Sequence, residues 1–351
     1  MRPALLTLFL LLSLPTLGGE RLPAYEPRFG RERPLVAVVG DNRMTELADY
    51  LVPYGILSRA DVADLVALAR DPGPIEMMPA LRIQAQAGLT EFDRDHPEGA
   101  DYLIVPAVHH SDDPRLTTWL AEQAAKGATL LAICDGVLLL GHAGLLQGRR
   151  ATGHWYSHEE REELFPETDW QTDRRYVVDG RIVSSAGISA AVPLSLALVE
   201  AIAGTARAEH LAQEIGVQDW SARHASSDFG FSSGDYLTAA GNWLAFWRHQ
   251  RLGLVVTEGF DEVALALRAD AYGRTFRSEV LAVAPGPVRS HAGLLLLPLQ
   301  PRSDLQLLPA PNEQTTAMAS LELALRDIAE RYGAATERLV IQQLEYPRAP
   351  Q

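Results

Sequence analysis

The stretch TLLAICDGVLLLGHAGLL (129–146) decides how the chain is read. An apolar run ends at Cys134, Gly136 follows two residues later, and Val137 to Leu140 begins a second apolar run with helical character. That order predicts a buried strand, a sharp turn and a helix. Such a turn lifts its central side chain above the carboxyl edge of a sheet, and a small residue two places on lets the helix pack closely. Cys134 is the only cysteine in the chain, so it cannot close an intramolecular disulfide. A thiol of pKa ~8.5 is only a few per cent ionised at pH 7, and making it mostly thiolate needs roughly 4 kcal/mol. A helix end supplies about 1–2 kcal/mol, so further partners are required.

Outward from this turn, short apolar runs alternate with amphipathic ones. Leu35–Val39, Asp64–Ala69, Asp101–Val105 and Ala128–Cys134 read as strands, and the spacing of Leu47, Tyr50 and Leu51 predicts a helix over 45–57 with Thr45 as N-cap. Asp113 followed by Pro114 reads as an N-cap and first helical position, opening a helix that Gly127 stops. Tyr176 to Ser185 reads as a hairpin around Asp179-Gly180, followed by a helix over 191–202 ended by Gly204. Strands apolar on both faces and separated by helices predict a mostly parallel sheet covered on two sides, a flavodoxin-like three-layer α/β sandwich. Residues 216–251, with Trp220, Trp243 and Trp247, read as a connecting segment ending in a helix.

The first unit then recurs. Residues 35–55 resemble 252–273 with Glu46 opposite Glu262, 100–108 resemble 292–300, and 126–136 would match 332–343, where no cysteine stands. A smaller, truncated and degenerate α/β repeat is therefore expected over 252–351, serving as packing partner or lid.

Composition bounds the function. The 351 residues are 47% hydrophobic and 22% charged, as in soluble globular proteins. A formal net charge of −14 repels phosphate backbones, so no nucleic-acid partner is expected. Met1-Arg2, the apolar run Leu5–Leu14 and the small or turn-forming residues 15–19 read as a signal peptide over 1–20. The expected location is periplasmic or secreted; an uncleaved segment acting as membrane anchor is the alternative. The histidines and acids of 109–113 read as a loop at the strand ends with Asp113 capping the next helix, the acids around His158 as a solvated helix face, and Gly-rich phosphate loops are absent. Neither a metal nor a cofactor is expected.

Residues 133–155, ICDGVLLLGHAGLLQGRRATGHW, closely resemble the ThiJ/PfpI superfamily of the class I glutamine amidotransferase-like fold, and Asp101–Pro106, the hairpin and SAGISAAVPLSLALVEAI (185–202) stand in that superfamily's order. The resemblance covers residues 34–204 and places the domain over 34–215. It implies a reactive cysteine at Cys134, an acid at Glu46 that bonds the cysteine in its protonated form, and a histidine near the thiol at His154. Two departures stand out: Pro106-Ala107-Val108 replaces glycines that often form an oxyanion hole, leaving Val108 as a backbone donor with His109 beside it, and Asp135 follows the cysteine. The implied activity is that of a small-molecule hydrolase or hydro-lyase with a cysteine nucleophile, in which Glu46 or Asp135 exchanges protons and His154 assists. The alternatives are a redox-sensing or protective protein with an oxidisable Cys134, and a non-catalytic binding module. The expected partner is a small-molecule substrate, with a homodimer or an intramolecular pseudo-dimer through the repeat.

Overall fold

The computed structural model describes residues 20–312 and 314–348. The segment read as a signal peptide, up to residue 19, lies outside the described residues. Among the described residues no helix is long and apolar enough to cross a membrane.

The chain runs β1 (Leu35–Gly40), α1 (Leu47–Ala60), β2 (Asp64–Ala69), β3 (Ala87–Gly88), β4 (Tyr102–Val105), α2 (Pro114–Ala125), β5 (Thr129–Ala132), α3 (Gly136–His142), β6 (Tyr176–Asp179), β7 (Ile182–Ser185) and α4 (Ala191–Ala203). These strands form one sheet in the order β6-β7-β5-β4-β1-β2-β3, parallel throughout except at the edge hairpin β6-β7. In that hairpin Asp179 pairs with Ile182, so the two turn residues are Gly180 and Arg181. The sheet has a core on each face. Val36 and Val38 of β1 point into one together with α1 and α4, and Leu35, Ala37 and Val39 point into the other with α2 and α3. This is the three-layer α/β sandwich that the apolar strands imply, since a strand covered on both sides needs no polar face.

The first helix departs from its expected start. Thr45 is not its N-cap: its hydroxyl donates to the Asp41 carbonyl, and Arg43–Glu46 is a short strand beside Pro74–Met78. Glu46 is the cap, its carboxylate accepting the Asp49 N–H at 2.5 Å. The helix is apolar around nearly its whole circumference because it is covered twice, by the sheet and by the C-terminal part.

That part contains α5 (Ser233–Leu244), β8 (Gln250–Val255), α6 (Glu262–Gly273), β9 (Ser278–Val283), β10 (Gln306–Leu308), α7 (Ala317–Tyr332) and α8 (Ala334–Leu344). Its parallel sheet has the order β9-β8-β10, as the larger sheet has β2-β1-β4, and α6 joins β8 to β9 as α1 joins β1 to β2. Helix α6 packs on α1, and a Cβ on Gly55 would lie 2.7 Å from the Glu262 side chain, which makes glycine necessary at that crossing. Two of the expected internal correspondences are displaced. Residues 292–300 hold the short strand Leu295–Leu296, which pairs antiparallel with Arg82–Gln84, and a single parallel bridge from Leu299 to Val283; the strand parallel to β8 lies further on, in DLQLLPAP (304–311). Residues 334–344 are helix, not strand: Ala, Glu, Arg, Leu and Gln favour helix, and Leu339, Val340 and Leu344 supply one buried stripe. The segment read as a connector holds α5, pinned through polar residues: Asp235 to Arg338, and Asn242 to Thr336 and the Thr275 carbonyl.

Candidate active site

Where β5 ends, the chain turns through Cys134 at φ +56°, a left-handed conformation rarely adopted by a residue with a side chain. Gly136 follows under the carbonyl of Val105; a Cβ there would sit 2.0 Å from that oxygen. The pair fixes the sulfur at the carboxyl edge of the sheet, 5% exposed. It lies in the wall of a cavity of about 310 Å³ lined by Glu46, Cys134, Asp135, His154, Arg274 and Gln343, with Trp155, Ile188 and Phe231 among its apolar surfaces. Four of the residues predicted from sequence thus meet in one place. Val108 and His109 are not among the residues lining it: the strand before α1 pairs with this loop, so the His109 N–H donates to the Met44 carbonyl at 3.0 Å and Thr45 bridges Val108.

Beneath the sulfur lies a group that the sequence did not reveal. Glu46, Asp49 and Asp270 are buried together around one cation, Arg274. Arg274 Nε donates to Asp270 at 2.7 Å and its Nη2 to Glu46 at 3.1 Å. Asp49 accepts the Ala107 N–H at 3.1 Å. Burial, then the charges of Asp49 and Asp270, push Glu46 well above the usual carboxylate range, against the pull of Arg274. Burial likewise raises Asp49 to about 7. Asp49 Oδ1 and Asp270 Oδ2 are buried and have no hydrogen-bond partner among the described residues.

The thiol is the reverse of what its helix end alone would give. Burial, followed by the charges of Asp49, Asp135 and Glu46, pushes Cys134 well above its ordinary value, opposed by the Asp135 N–H directed at the sulfur. The helix after it has seven residues and offers no side-chain cap. Asp135 accepts the Ser157 hydroxyl at 2.5 Å, and the buried Arg161 donates to the same hydroxyl at 2.6 Å.

His154 does not bond the sulfur. Its Nδ1 accepts the Tyr156 N–H at 3.1 Å and its Nε2 faces the Gln343 carbonyl at 3.0 Å. An amide can only donate and a carbonyl only accept, so the ring is the neutral Nε2–H tautomer with both nitrogens engaged. Trp155 Nε1–H donates to the Gln342 carbonyl at 2.8 Å. Together they engage carbonyls in the last turn of α8, where the Gln342 carbonyl also accepts the Glu345 N–H at 3.1 Å. One step further, Glu345 reaches the Gly187 N–H at 2.7 Å and His224 Nε2 at 2.7 Å, locking the chain end against SAGIS. Gln343, Glu345, Asp270 and Arg274 were beyond sequence reading, since nothing in their spacing relates them to Cys134. Asp49 had a signal: it stands one turn from Glu46 at a helix start.

A sequence profile of the DJ-1/PfpI family matches residues 35–201. The isonitrile hydratase of Pseudomonas putida is 35% identical over 167 residues, 46% of this chain and 69% of the hydratase. The HTH-type transcriptional regulator CdhR of Pseudomonas aeruginosa is 31% identical over 143 residues, 40% of this chain and 41% of the regulator. Among solved structures, DJ-1beta of Drosophila melanogaster superposes with a TM-score of 0.48 at 18% identity, covering 53% of this chain and 100% of that one.

Proposed function

Because the chain belongs to the DJ-1/PfpI family, we propose that it is a small-molecule hydrolase or hydro-lyase with Cys134 as nucleophile. The observation that carries this reading is the positive-φ turn that sets the sulfur, together with Glu46, in the wall of a small cavity. Cys134 adds to an electrophilic carbon of the substrate, and its proton passes into the Glu46–Asp49–Asp270 cluster. Water then takes the sulfur's place on that carbon, the carbon–sulfur bond breaks, and the thiol regains its proton. Asp49, at about 7, is the member poised to exchange that proton near neutrality. His154 contributes by position: its two bonds hold Trp155 and the α8 end around the cavity.

The test is turnover of small isonitriles, aldehydes and amides by the whole chain beside Cys134→Ala. Loss of all activity in a variant with unchanged melting temperature supports the assignment. Activity that survives the substitution overturns it. A second reading, a ligand-binding module without turnover, draws support from the raised thiol and the occupied nitrogens of His154, and from a transcriptional regulator among the similar proteins. Saturable binding of a small molecule with no product would select it.

Residues 252–351 are proposed to be a truncated duplicate of the first unit, from the shared order of strands around β8 and β1, acting as a built-in pseudo-dimer partner. Export to the periplasm, or anchoring by an uncleaved segment, is proposed from Leu5–Leu14. The net charge of −14 is the ground for proposing no nucleic-acid partner.

A further inference from the structure

Several backbone donors around the sulfur are committed. The Ala107 N–H serves Asp49, the His109 N–H serves the Met44 carbonyl, the Cys134 N–H serves the Ala186 carbonyl at 3.2 Å, and Gly136 serves Ile133 at 2.8 Å. Pro106 has no N–H, and the Asp135 N–H points to the sulfur itself. What the cavity retains is a guanidinium. Arg274 uses one edge, Nε and Nη2, for Asp270 and Glu46. Its Nη1 bonds no described residue, a fifth of the side chain stays exposed, and the residue lines the cavity. Another acid in that wall, Asp135, is held by Ser157, which Arg161 holds in turn.

We propose that Arg274, carried in from the C-terminal part at the end of α6, is the residue that selects the substrate: its free Nη1 receives a carboxylate oxygen, so the site takes small electrophiles that bear a carboxylate. A guanidinium fixed on one edge by two carboxyl groups is already oriented, so little is lost in ordering it for a third partner. The proposal rests on Cys134 being the reacting group of this cavity but not on turnover.

The experiment compares alkylation of Cys134 by iodoacetate, which carries a carboxylate, and by iodoacetamide, its neutral counterpart, in the full chain. The ratio of the two rates is read for the unaltered protein, Arg274→Gln and Arg274→Lys. Loss of one charge-assisted hydrogen bond is worth roughly tenfold, so the ratio is expected to fall about tenfold in Arg274→Gln and to recover in part in Arg274→Lys. Since removing the guanidinium leaves Asp270 and Glu46 buried without their cation, a measurement on the unaltered protein stands beside it: millimolar acetate should slow its alkylation by iodoacetamide. An unchanged ratio in a folded Arg274→Gln, or no protection by acetate, overturns the assignment. Failure of the enzymatic reading looks different: carboxylate preference and protection are present, but no electrophile is turned over.

Discussion

At the scale of single residues the site is a thiol that its surroundings hold protonated. Burial and three acids act in the same direction on Cys134, so iodoacetamide alkylation should be slow at pH 7 and should climb through the alkaline range, above the profile of a free thiol. Asp49→Asn removes one negative charge and should move that profile to lower pH; a profile unmoved, or moved upward, refutes the electrostatic account. Sequence made Cys134, Glu46, Asp135 and His154 legible, because an elbow and its neighbouring motif are local patterns. It did not show the long-range bonds that two of them make. Glu46 became a buried helix cap paired to Arg274, and His154 a strut under α8, because contacts arriving from some 200 residues away fix both side chains. Glu345 shows the same dependence. Burial raises its carboxyl, but the bond from His224, with the Gly187 N–H, brings it below its ordinary value. A depressed folded value means that the stabilisation is present above the ordinary carboxylate range and is lost as pH falls through the folded value. Urea titrations should therefore show acid-side weakening that Glu345→Gln abolishes along with part of the stability at neutral pH.

Elements were legible where a period or a punctuating residue marked them. β1, β2, β4 and β5 are short apolar runs, and Asp113-Pro114 and Gly204 bound their helices as expected. The start of α1 was missed because capping by Glu46 depends on a strand at Arg43–Glu46 that exists only through its neighbour at Pro74–Met78. Apolar β-strands resemble one another, so 292–300 mimicked β4 while the parallel partner of β8 lay in 306–308. The elbow itself makes a demand at this scale. Because a Cβ at position 136 would meet the Val105 carbonyl, Gly136→Ala must push α3 off the sheet, at about 1–3 kcal/mol. Its denaturation midpoint should fall accordingly, and alkylation of Cys134 should change with it. A midpoint equal to that of the unaltered protein would show that the crossing has slack.

For the whole molecule the deciding feature is α1, enclosed between the larger sheet on one side and α6 on the other. Neither part can expose that helix without uncovering Leu47, Leu51, Ile56 and other fully buried side chains. We therefore expect thermal unfolding followed by far-ultraviolet circular dichroism and by tryptophan fluorescence to give one coincident transition. Two separated midpoints would mean that the C-terminal part folds alone. The cavity draws on the same enclosure, since its walls come from residues 46, 134, 274 and 343. A ribosome releases those residues in that order, so a nascent chain holds its sulfur through much of translation beside a basin with one side open. Only when the last helix has emerged and seated against Trp155 does the vessel close around its reagent.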